Sequence, residues 1–154
     1  MRLVLDTNVV LDMLVFADPV VRPLAEALAT GEHTAWVDRE TLGEFEWVLA
    51  FPTFKLDAAA RQAAMDRYRG LVRMAPEDSS APLPPLPRCR DRADQKFLVL
   101  AARVGAAWLV SKDKRVLSMA DRRDLPFAIF TPRQAAQHLR PPEPPTRAHA
   151  PGGE

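Results

Sequence analysis

At 154 residues with 47% hydrophobic side chains, the chain is sized for one domain with a three-layer core, and nothing requires a second. One cysteine, Cys89, excludes an intramolecular disulfide, the lack of any Cys/His cluster excludes a structural zinc site, and the expected setting is reducing cytosol. A net charge of +1 is no sequence-wide signature for nucleic acid, so local charge placement must decide the partner; the excess of Arg over Lys favours bidentate contacts to phosphate.

The chain opens on an apolar run, Arg2 to Leu5, that reads as a strand. No basic n-region or apolar h-region precedes it, and no stretch approaches the ~18 uninterrupted apolar residues of a membrane span. The expectation is a cytoplasmic protein that is not exported and has no membrane contact. Val9 to Phe16 and Pro19 to Ala29 read as the first helices, and Ala35 to Val37 as the second strand. Arg39 to Ala50 lies between Asp38 and Pro52, with Leu42, Phe45 and Leu49 forming an apolar stripe. Asp57 is placed to cap a helix running to about Arg69 and ended by Gly70. Pro76 to Pro87 is too rich in Pro and Ser for a helix and is expected to cross the surface. A helix after Asp91 leads into a strand at Ala107–Val110, a short helix follows Asp113, Ala128–Phe130 is the last strand, and Pro132 to Leu139 closes the fold. The domain is expected to span 1–140, followed by a disordered Pro-rich tail over 141–154. Strands alternating with helices predict an α/β fold, three layers deep, around a parallel sheet.

Asp6, at the exit of the first strand, stands where a parallel sheet places its active site, and Glu44, Asp94 and Asp113 recur at or near the starts of later helices. Each has a structural alternative. Asp6 suits an Asx turn with Thr7 and Asn8, Asp94 suits the first turn behind an Asp91 cap, Asp113 suits a cap, and Glu44 suits a solvated helix flank. Together they suggest one cleft. Crowded carboxylates repel, and hard cations with oxygen ligands, magnesium or manganese rather than zinc, are the natural compensation.

The segments Asp6-Thr7-Asn8, Thr41-Leu42-Gly43-Glu44-Phe45, Arg90 through Leu98 around Asp94, and Ser111-Lys112-Asp113-Lys114 occur in an order that resembles the PIN-domain family. The resemblance extends over most of residues 2 to 139, and in its finer form it is similar to the toxin branch of bacterial toxin–antitoxin systems. It implies a PIN-like α/β/α fold and a site in which Asp6, Glu44, Asp94 and Asp113 are both catalytic residues and ligands of one or two Mg2+ or Mn2+ ions. Thr7, Asn8 and Ser111 would orient those ligands, and Asp91 would be an outer ligand or, preferably, a helix cap. Two departures stand out. Lys112 replaces a small residue common in that branch, and Arg115 replaces an acid.

The implied activity is hydrolysis of phosphodiester bonds in single-stranded RNA, with water as nucleophile, by the toxin of a type II pair held in check by a cognate antitoxin. Arg88, Arg90, Arg92, Lys112, Lys114 and Arg115 would form a basic rim for the RNA backbone, ordinary solvated side chains being the alternative. His33, His138 and His149 lie outside every motif. Trp36, Trp47 and Trp108 are expected in the core. Two rival readings remain: an inactive PIN-fold binding module, and a phosphohydrolase with a nucleophilic Asp6, disfavoured because Asn8 stands where such enzymes carry a second Asp. A homodimer is left open.

Overall fold

The computed structural model describes residues 1–77 and 82–139, so the tail expected over 141–154 and the middle of the Pro76–Pro87 connection lie outside the described residues. Five parallel strands form one sheet: β1 (Arg2–Leu5), β2 (Thr34–Val37), β3 (Val72–Met74), β4 (Trp108–Val110) and β5 (Ala128–Phe130), in the order β3-β2-β1-β4-β5. β1 is central, pairing Leu3 with Ala35 on one side and with Trp108 on the other. An all-parallel sheet needs helices on both faces, which demands apolar side chains pointing both ways. β1 meets that demand: Leu3 and Leu5 enter one core, Val4 the other.

On the first face lie α1 (Thr7–Leu14), α2 (Arg22–Ala29), α3 (Arg39–Leu49), α4 (Ala58–Leu71) and α7 (Pro132–Leu139), whose buried residues pack with Leu3, Leu5, Val37 and Val110. The second face carries α5 (Gln95–Val104) and α6 (Lys114–Leu117), packed with Val4, Leu109 and Ile129. The expected stripe of α3 is buried at Leu42, Phe45 and Leu49, and its start is fixed by a reciprocal cap between Asp38 and Thr41. Among the described residues no helix is long and apolar enough to cross a membrane.

Some expectations need correction. Gly70 does not end α4: the helix runs to Leu71 and passes straight into β3, a strand the sequence reading omitted. Gly70 holds ordinary helical backbone with open space where a side chain would project, and no turn residue separates it from Val72. The first helix starts at Thr7 and stops at Leu14 rather than spanning Val9 to Phe16, and Pro19 to Ala29 divides into a 3-10 turn, Pro19–Val21, and α2. The strand expected from Ala107 starts at Trp108. Trp108 is buried and Trp36 half-buried, with the Arg2 guanidinium over its ring. Trp47 is 67% exposed, so the core reading fails for it. It packs edge-on against Phe51, which stacks on Phe54, which meets the exposed Phe16.

Burial therefore predicts opposite outcomes for two apolar truncations. Leu109→Ala, in the buried interior strand β4, should cost about 2–5 kcal/mol in urea unfolding, while Trp47→Ala should cost about 1 kcal/mol or less. Comparable losses would mean that the Trp47 ring is buried in solution.

Candidate metal centre

In a doubly wound sheet the functional crevice opens at the carboxyl ends of the strands where the strand order reverses, here between β1 and β4. The Asp6 backbone N–H still donates to Val110 before the chain turns into α1, and Ser111 N–H donates to Phe130 before β4 leaves the sheet. Asp6 and Ser111 are thereby fixed side by side, and the Ser111 hydroxyl donates to Asp6 Oδ2 at 2.6 Å. Asn8 Nδ2 reaches the same oxygen at 3.4 Å, while its Oδ1 accepts from the Lys112 N–H. Asp6 occupies the N-cap position of α1 but makes no capping bond.

Asp94 arrives from the second face, on the 3-10 turn Arg92–Asp94 that leads into α5. Its side chain is buried and caps nothing; Oδ2 is the buried side-chain atom without a hydrogen-bond partner among the described residues. Asp113 accepts from the Arg115 N–H as the cap of α6, and its own N–H is held by the Ser111 hydroxyl. Asp91 caps the 3-10 turn through Ala93 N–H and pairs with Arg115 at 3.1 Å. Capping and clustering are thus compatible: carboxylate oxygens of Asp91, Asp94 and Asp113 lie within 4.8 Å of one another.

Electrostatics ties Asp6 to this group. Burial pushes the Asp94 carboxyl up to about 7, helped by the charge of Asp6 and by contact with Asp113. Burial also raises Asp6, with Glu44 and Asp113 adding repulsion against the lowering effect of Ser111. Glu44 is placed differently from the other acids. One of its oxygens accepts from the Thr7 hydroxyl and the other faces the Lys96 ammonium at 2.8 Å. Thr7, expected beside the ligands, therefore serves Glu44.

An orphaned buried carboxylate oxygen amid close like charges, in an all-oxygen donor set, fits a hard divalent cation. Asp6, Asp94 and Asp113 each keep a carboxylate oxygen outside these hydrogen bonds, whereas both oxygens of Asp91 are taken by the Ala93 N–H and Arg115.

The basic residues divide. Arg88, Arg90 and Arg92 are exposed along an open cavity of about 500 Å³ beside the turn that carries Asp94. Lys114 is exposed, whereas Lys112 pairs with Asp12 at 2.6 Å and Arg115 with Asp91. Sequence reasoning missed Asp12 and Lys96. Asp12 stands one helical turn after Asn8 and is buried, a pairing visible only once β4 lies beside β1. Lys96 did leave a signal, a cation in the first turn of a helix, where the dipole disfavours it.

A PIN-domain family model matches residues 2–115, well over half of the chain. The chain belongs to the PIN-domain family. The match runs from β1 into α6 and so spans every acid of the cluster. PIN domains are in general nucleases and typically use divalent metals. No curated protein and no solved structure matches the chain at a significant level.

The raised Asp94 carboxyl gives this PIN domain a pH signature. The unfolded chain releases that proton near 3.8 and the folded one near 7, so apo stability falls as pH rises through that window. In chelator the melting temperature should drop between pH 5 and about 7.5, and magnesium should reverse the drop; at about 100 times its dissociation constant it should add about 2.7 kcal/mol. Asp94→Asn should melt higher than wild type in chelator at pH 7.5 yet gain less from magnesium. A variant destabilised equally in both conditions would assign Asp94 to helix structure alone.

Proposed function

We propose that this PIN domain is a metal-dependent endoribonuclease acting on single-stranded RNA. The observation that carries the reading is the buried, unpartnered Asp94 oxygen facing Asp113 and flanked by Asp6 and Asp91 at the sheet's switch point, inside the matched region. Asp94 and Asp113 would hold the cation with Asp6 beside them, Ser111 and Asn8 fixing the Asp6 carboxylate. A cation there supplies positive charge to a scissile phosphate and lowers the pKa of an attacking water. Neither Asp6 nor Cys89 is positioned as a covalent nucleophile: Asp6 is tied by Ser111, and the Cys89 thiol is buried with its pKa pushed up by that burial.

Arg88, Arg90 and Arg92 have no acidic partner within ion-pair distance among the described residues, so they can take phosphates without breaking internal pairs. The role as toxin of a type II pair rests on the branch resemblance. The exposed rings of Phe16 and Trp47, continuous with Phe51 and Phe54, are the apolar surface that a cognate antitoxin would cover.

Cleavage of single-stranded RNA should require magnesium or manganese and should be abolished in Asp6→Asn and Asp113→Asn without loss of fold by circular dichroism. Undiminished cleavage in chelator, or by both variants, contradicts the reading and favours an inactive binding module. Replacing Arg88, Arg90 and Arg92 together by Ala should weaken RNA binding and reduce the log-log salt slope by about 0.7 per lost contact. An unchanged slope would make these side chains a solvated face.

A further inference from the structure

We propose that Lys96 is a permanent counter-cation on the Glu44 side of the acid cluster, taking the place of a second divalent ion and leaving a site for one. The inference rests on the metal-dependent reading above and concerns how many ions that site takes.

Both Glu44 oxygens are engaged: Thr7 donates to one, and Lys96 Nζ lies 2.8 Å from the other. The Lys96 side chain is 14% exposed and that of Glu44 20%, so water screens their attraction poorly. Local structure does not explain Lys96. It sits in the first turn of α5, two residues after Asp94, where the positive helix end repels a cation. The reach across to α3 must therefore outweigh that penalty, and removing either partner would leave an unpaired, half-buried charge.

On the other side of the cluster Arg115 pairs with Asp91 alone, and Asp94 and Asp113 are left without a cation among the described residues. Asp94 Oδ2 is orphaned, and Asp94 faces Asp113. Compensation is thus divided between a fixed ammonium at Glu44 and an open all-oxygen position at Asp94 and Asp113. Two-metal sites place their ions about 3.5–4 Å apart and need carboxylates open on both sides. Here one side is closed by a side chain that folding itself delivers. The ammonium also offsets Glu44 without requiring a second ion to bind before substrate.

Calorimetric titration of the full chain with manganese, in parallel with magnesium-dependent RNA cleavage, tests this. Wild type and Lys96→Arg should each bind one ion, and Lys96→Gln, which frees Glu44, should bind two. Because Lys96→Gln leaves a lone half-buried carboxylate, the double variant Glu44→Gln, Lys96→Met removes both charges at once; it should still bind one ion, within about threefold of the wild-type affinity. Two ions in wild type with cleavage intact overturns the Lys96 assignment and leaves the nuclease reading standing. So does a single ion in a folded Lys96→Gln, or loss of the ion in the folded double variant, which would make Glu44 a ligand. No ion in wild type overturns both.

Discussion

Repulsion among carboxylates gathered at one edge of a parallel sheet is the constraint on which the arrangement depends. Folding takes Asp6 and Asp94 out of water beside the half-buried Asp113, and an unpartnered carboxylate in that setting holds its proton to about neutral pH. The protein meets the cost in several ways at once. Ser111 and Asn8 hydrogen-bond Asp6, backbone N–H groups at two helix starts hold Asp91 and Asp113, and Lys96 and Thr7 take Glu44. What remains uncompensated is concentrated on Asp94, and a ligand of opposite charge has most to gain there.

Much of this was legible in the sequence because it follows from periodicity and from the ends of elements. The run Arg2–Leu5 followed by Asp6 and the Leu42–Phe45–Leu49 stripe behind Asp38 appear in the structure as expected, and the closing segment Pro132–Leu139 is a helix. Strand order follows from the parallel crossovers: the chain builds outward from β1 to β2 and β3, then returns to β4 and β5, leaving the crevice beside Asp6. The family match over residues 2–115 agrees with the motifs read from the same acids.

What was not legible depended on neighbours far away in sequence. β3 escaped because Val72-Arg73-Met74 is short, edge-lying and continuous with α4, so neither alternation nor a turn marks it. Trp47 looks like a core residue by composition, yet it lies on the side of α3 away from Phe45 and ends in an exposed aromatic run. The partners of the charged residues were equally hidden. That Lys112 would find Asp12, Arg115 Asp91 and Lys96 Glu44 is set by how the fold gathers distant segments at the carboxyl edge of the sheet, and these pairs separate cations already committed from those free to meet a phosphate backbone.

The central claim is that the Asp94 edge of the cluster is a cation site, and a crystal soaked in manganese tests it most directly through anomalous diffraction. The account predicts a peak within bonding distance of Asp94 and Asp113 oxygens, beside Asp6. A soaked crystal with no peak there, or with its only peak on surface acids remote from β1 and β4, would contradict it.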